Sequence, residues 1–183
     1  MAKYIMEMVL EYAKVFPENA DMGDPNGNKA AVAVAKKGGQ YVVNGYFTDD
    51  GQIEKLIAEG LDPHPMNRDR ILEGREEYGI GKYMKLKRPI PDNIKVFENK
   101  AGPVEVNYGG PVGVVDLTNG PENRKLWSVE EDGFLGNGTK ALVEFETYSQ
   151  GAGVRVVNIG VTEHIPYEQS YEADPRAEYF KVA

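Results

Sequence analysis

The sequence predicts a mainly β domain, a small barrel or sandwich, on three observations. Five runs rich in aromatic and β-branched residues read as strands. Asn-Gly and Pro-Gly turn signals separate them, and only one stretch reads convincingly as a helix. Several short strands with a single helix are the ingredients of such a layer architecture.

In chain order, Lys3 to Phe16 carries two patterns. Its Met, Glu, Leu and Ala favour helix, yet Tyr4, Met6, Met8, Leu10 and Tyr12 alternate as in a strand. Asp21-x-x-Asp24-x-Asn26-Gly27-Asn28 is calcium-loop-like in composition. It lacks the alternate-position spacing and closing Glu of an EF-hand, and reads as a Pro-Asn-Gly turn. Lys36 and Lys37 precede Gly38-Gly39 at an expected hairpin tip, where they can touch phosphate or simply stay solvated. Gly39 to Thr48 reads as a strand, with Asn44-Gly45 a turn or a bulge inside it. Asp50 is expected to cap a helix over Gly51 to Glu59, with Ile53, Leu56 and Ile57 on one face and Gly60 as its stop. Asn67 to Tyr78 has a weaker helical pattern. Lys82 to Lys87, Val112 to Leu117, Thr139 to Tyr148 and Val154 to Ile165 complete the strands, and no fixed-period repeat is present.

A length of 183 residues fits one domain, or one domain plus a tail. Hydrophobic content of 41% suffices for a core, and no apolar run approaches the roughly 20 residues that span a bilayer. Glu7 and Glu11 break the first apolar stretch, so a signal peptide is not expected. The lack of cysteine excludes a disulfide scaffold and cysteine metal sites, and it fits a reducing cytosol. The net charge of −8 argues against a nucleic-acid partner until its distribution is considered. Lys82 to Lys100 holds six cations against two acids, whereas Asp49 to Gly79 holds nine acids against four cations.

One ordered set of segments goes further. Tyr12-Ala13-Lys14-Val15-Phe16-Pro17 is followed by GGQYVVNGYF and then DGQIEKLIAEG. Asp132-Gly133-Phe134-Leu135-Gly136-Asn137-Gly138-Thr139-Lys140 runs directly into ALVEFETY. Gly151-Ala152-Gly153-Val154-Arg155 leads through Val157-Asn158-Ile159-Gly160-Val161 to Ile165-Pro166-Tyr167. This order resembles the single-stranded-DNA-binding proteins of short-tailed phages, in which a Gly-Asn-Gly-Ser/Thr turn opens a long strand and a Gly-rich turn leads into the last barrel strand. The match covers the C-terminal third well, the N-terminal half moderately and Leu61 to Gly81 poorly.

The resemblance implies a five-stranded OB-type Greek-key barrel over residues 1–167, with one clear helix and an irregular insertion at 61–81. It implies sequence-independent binding and protection of single-stranded DNA in phage DNA replication and recombination, in the host bacterial cytoplasm, without cofactor or enzymatic step. It also implies the phage DNA polymerase and helicase-primase as partners, and leaves a homodimer open. The family ends in a strongly acidic tail closed by an aromatic residue. Here residues 168–183 are only mildly acidic and Phe180, the candidate partner contact, stands short of the end. Regulation by the tail is therefore in doubt.

Binding a single strand needs cations for phosphates and exposed rings for bases. In KYMKLKR, strand alternation puts Tyr83, Lys85 and Lys87 on one face and Met84 and Leu86 on the other, with Arg88 the next cation. The first face is a candidate groove, or a solvated strand face whose lysines block edge pairing. Arg124-Lys125-Leu126-Trp127 sets the only Trp beside two cations; the ring either stacks on a base or anchors its loop on the core. Tyr41, Tyr46 and Phe47 are strand aromatics, and Tyr41 and Phe47 share a face that is core or platform.

Nothing else marks a chemistry. His64 and His164 lack ligand spacing, and Asn137-Gly138-Thr139 fits a glycosylation sequon that a cytosolic chain never presents to its enzyme. No Gly-x-Ser-x-Gly, P-loop or His-Glu-x-x-His is present. A carboxylate-dependent enzyme on a β scaffold and a non-enzymatic β-rich phage accessory or protein-interaction domain stand as alternatives to the DNA-binding reading.

Overall fold

The computed structural model describes residues 3–61, 70–71, 80–148 and 153–167, and the chain is mainly β with a few short helices. The strands are β1 (Lys3–Lys14), β2 (Gln40–Tyr46), β3 (Arg70–Ile71), β4 (Ile80–Gly81), β5 (Tyr83–Pro89), β6 (Ile94–Asn99), β7 (Gly102–Asn107), β8 (Gly113–Asp116), β9 (Lys125–Leu126), β10 (Lys140–Tyr148) and β11 (Gly153–Glu163). The helices are α1 (Lys29–Lys36), α2 (Asp50–Ala58) and the single turn α3 (Val129–Asp132).

The alternation in the first segment prevails over its helical composition. β1 buries Tyr4, Met6, Met8 and Leu10 on one face, because a strand delivers every second side chain to the core. The alternation breaks at Tyr12, whose φ is 52°, and the register with β2 shifts between Glu11 and Lys14. That bulge is held by the Asn137 side chain, whose Oδ1 accepts the Tyr12 N–H at 2.9 Å. Asn137 belongs to the Gly-Asn-Gly-Thr turn that opens β10, where the Thr139 hydroxyl donates to the Gly136 carbonyl.

The main sheet runs β10-β1-β2-β5-β11-β8-β9, and β10 also pairs with β11. The pairings β1–β2, β2–β5, β5–β11, β11–β10 and β10–β1 therefore form a closed circuit. All are antiparallel except β5–β11, which is parallel at Lys87 and Arg155. β8 also runs parallel to β11, further along it, and carries β9 at the sheet's edge. The inward faces build one core around Phe145, Met8, Leu10, Met84, Leu86, Leu135 and Ile159. β3–β4 and β6–β7 are separate two-stranded ladders.

Two helical expectations change. α1 occupies the stretch expected to end in a hairpin tip. Asn28 caps it by accepting the Ala31 N–H, its body is alanine-rich, and Lys36 in the last turn suits the negative end of the helix dipole. Gly38 and Gly39, at φ 88° and 93°, then swing the chain into β2. α2 is capped by Asp49 rather than Asp50: Asp49 accepts the Gln52 N–H, and Gln52 reaches back to the Asp49 N–H. α2 packs Ile53 and Leu56 into the main core.

The ladder β6–β7 was not expected at all. The Asn67–Tyr78 helical pattern and His64 fall largely outside the described residues, with only Arg70–Ile71 of that stretch seen, as the short β3. Gly151, Ala152 and the tail 168–183 also lie outside them.

Candidate nucleic-acid interface

β5 divides its side chains as alternation demands. Met84 and Leu86 are fully buried, Lys85 and Lys87 are exposed on the other face, and Tyr83 shares that face half-buried. The register fixes their neighbours: Lys87 lies opposite Val42 of β2, Lys85 opposite Asn44 and Tyr83 opposite Tyr46. The Tyr83 and Tyr46 rings stack at 4.9 Å and, with Val9, make a small apolar cluster apart from the core. The Tyr46 hydroxyl donates to the buried Glu11 carboxylate at 3.1 Å. The outer side of β2 and β5 thus runs from a tyrosine pair, of which Tyr46 is buried and Tyr83 partly exposed, to two exposed lysines.

A groove of about 380 Å³ opens at the lysine end, lined by Lys37, Lys87, Pro89, Asn93, Lys95, Tyr108 and Arg155. Four of these are cations, and no carboxylate is among the described residues that line it. They come from four places in the chain: the C-cap of α1, β5, β6 and β11. Partial burial, followed by repulsion from Lys85 and then Lys37, lowers the pKa of Lys87, with Asp21 opposing. Like charges have been gathered at an electrostatic cost that an anion would relieve.

Arg155 is nearly wholly buried. It pairs with Glu146 at 3.2 Å and lays its guanidinium over the Tyr108 ring at 4.2 Å from the centroid. Lys95 Nζ stands 5.4 Å from the centroid of the same ring, and Phe97 meets it edge-on at 6.3 Å. Tyr108 therefore ties the root of the β6–β7 hairpin to β11.

The other candidates from the sequence have different placements. Arg88 points inward: its guanidinium donates to the carbonyls of Gly109 at 2.6 Å, Gly110 at 3.0 Å and Val156 at 3.4 Å. Burial, then the nearby Arg155, lowers its pKa, and its donors secure the turn that returns from the hairpin. Tyr41 lies in the core with Phe47, and burial, then Glu18, raises its pKa. Lys36 is exposed in the last turn of α1, with Lys37 beside it in the groove.

Trp127 is half-buried against the core, donates from Nε1 to the Gly133 carbonyl at 2.9 Å and meets His164 edge-on at 4.7 Å. Arg124 donates to the Pro121 carbonyl, and Lys125 pairs with Asp116 at 4.0 Å. The Trp127 segment does not line the groove. Asp24 to Gly27 form a turn, in which Gly27 N–H meets the Asp24 carbonyl and the Asp24 side chain accepts the Asn26 N–H. Phe180 lies outside the described residues.

Sequence reasoning missed Asn93, Lys95, Tyr108 and Arg155. Lys95 was legible only as a member of the basic segment. Arg155 reaches the site through the β5–β11 pairing, which leaves no local mark in the sequence.

No protein-family model matches the chain, and no curated protein matches it. Among solved structures the chain is similar to the single-stranded DNA-binding protein from bacteriophage Enc34, with 11% identity and a TM-score of 0.46 over 98% of this chain and 90% of that one.

Proposed function

We propose that this protein binds single-stranded DNA without regard to sequence, on the outer surface of β2 and β5 and in the groove beside it. The observation that carries the reading is the convergence of Lys37, Lys87, Lys95 and Arg155 on one groove with no carboxylate among its described lining residues. Cations tracking a backbone beside exposed rings are what a single strand requires. We read the circuit β1-β2-β5-β11-β10, with its single parallel pair, as a five-stranded OB-type Greek-key barrel. In such barrels the face of the second and third strands takes oligonucleotides, and in this reading β2 and β5 are those strands.

The protein acts by occupancy rather than by chemistry. The ordered motifs from Tyr12 to Tyr167 support a setting in phage DNA replication and recombination in the host cytoplasm, beside a phage polymerase and helicase-primase. Residues 1–167 form the binding domain and 168–183 a separate tail.

A titration of labelled oligo-dT and of duplex at several salt concentrations tests this. Binding to oligo-dT is expected at low salt, with log affinity falling linearly against log salt as counterions are released. If oligo-dT does not bind at low salt, or binds with no salt dependence, the reading fails.

A further inference from the structure

Among the described residues the β6–β7 hairpin pairs with no other strand, yet it leaves Ile94, Val96, Phe97 and Val104 between 43% and 59% exposed. An isolated two-stranded ladder in water gains little from burial, so apolar side chains held out on one call for an occupant. Residues directly opposite each other in an antiparallel pair project to the same face. One face therefore holds Lys95 with Val106, Phe97 with Val104, and Asn99 with Gly102. The other holds Ile94 with Asn107, Val96 with Glu105, and Glu98 with Pro103.

The first face has a cation and no acid; the second has two acids and no cation. Only the first is continuous with the groove, through Lys95 and the contact of Phe97 with Tyr108. Charge and continuity select a polyanion with free ring faces as the occupant of that face.

We propose that the β6–β7 hairpin is a DNA-contacting arm whose Lys95–Phe97–Val104 face closes over the strand in the groove, with a base laid on Phe97 and a phosphate at Lys95. The proposal rests on the reading of the groove given above and assigns to the arm the preference for single over double strands. In a duplex the bases are stacked and paired inward, and Phe97 finds no free ring face. Duplex keeps only its phosphate contacts with the barrel lysines and Lys95.

The test uses full-length protein and four variants, Phe97→Ser, Phe97→Tyr, Val104→Ser and Lys95→Ala, titrated with oligo-dT and with duplex across salt concentrations. Phe97→Ser is expected to weaken oligo-dT binding by about 5- to 150-fold at unchanged salt slope, and to leave duplex affinity unchanged. Phe97→Tyr, which keeps a ring, restores it, and Val104→Ser shows a smaller loss of the same kind. Lys95→Ala flattens the oligo-dT slope by about 0.7. Unchanged melting temperatures show that the barrel is intact.

Wild-type binding that Phe97→Ser leaves intact overturns the arm while sparing the groove. A wild-type protein that binds no oligo-dT overturns both. Equal losses on single strand and duplex overturn the assignment of strand preference. A change in sedimentation of the Phe97→Ser variant with DNA affinity intact makes the arm a surface for a second copy and overturns the proposal.

Discussion

Lys85 and Lys87 owe their position to period two, and the same period places two further candidates, Arg88 and Tyr41. Arg88 stands next to Lys87 in sequence but has the parity of Met84 and Leu86, so it turns inward. Tyr41 has the parity of the fully buried Val43, so it is core. The lysine stripe was legible because alternation is local, and the inward turn of Arg88 follows from the same alternation. Replacing Lys85 and Lys87 together by Ala is expected to weaken oligo-dT binding and flatten its salt slope by about 1.4, since each cation neutralises about one phosphate. A double variant with unchanged affinity and slope would move the site off this face.

Arg155 and Glu146 make a different prediction. Both are buried, so Arg155→Ala leaves a carboxylate without its ion-pair partner and is expected to cost about 3–5 kcal/mol in urea unfolding. Asp116 adds a pH dependence. Hydrogen bonds from the Thr118 hydroxyl and N–H lower its pKa, against a smaller opposing effect of burial. Because the folded value lies below the unfolded one, its stabilisation is complete above the unfolded carboxylate's pKa and is lost as pH falls through the folded one. The gap in melting temperature between wild type and Asp116→Ala should therefore be widest near neutrality and narrow on acidification.

At the scale of elements, the sequence showed those with a one-sided pattern. β5, β10, β11 and α2 each pair an apolar face with a polar one or run apolar throughout, between clear turn residues. α1 escaped because its Ala-Val alternation matches neither a helical stripe nor a charged strand, and a single buried Val34 leaves little signal. β6–β7 escaped for the opposite reason: its apolar residues fall on both faces, so no core side is marked.

The junction between this hairpin and the main sheet depends on close approach. Gly109 lies so near the Pro91 carbonyl that no Cβ fits, and Arg88 binds the carbonyls of both Gly109 and Gly110. Gly109→Ala is expected to destabilise by about 1–3 kcal/mol and to weaken oligo-dT binding as the groove's wall shifts. An alanine variant with wild-type melting and affinity would show that the junction relaxes freely.

For the whole molecule, net charge and charge distribution point in different directions. The chain is acidic overall, yet the described lining of its groove is cationic: Lys87 and Lys95 come from the basic Lys82–Lys100 segment, and the fold adds Lys37 and Arg155 from elsewhere. The topology was not legible from the residues. The strand inventory allowed a barrel or a sandwich, and the pairings that close the strands into a circuit join distant segments. β10 with β1 and β5 with β11 are set by the shared core, not by any turn. A ligand held across β2, β5 and β11 binds the folded chain alone. Oligo-dT at about 100 times its dissociation constant should therefore add about 2.7 kcal/mol to stability, read as a rise in melting temperature that duplex does not match.

The parallel seam between β5 and β11 also sets a clock. Arg88 and Val156, which bond across it, are 68 residues apart, whereas β10 and β11 are near neighbours in sequence. Closing the long loop costs chain entropy before the seam returns any contact, so the seam is expected to form after the transition state for folding. Leu86→Ala on β5 should then speed unfolding in a stopped-flow chevron while leaving the refolding limb almost unmoved, and Val143→Ala on β10 should slow refolding. The surface that gathers the groove's cations would thus be the last part of the sheet to close and the first to open.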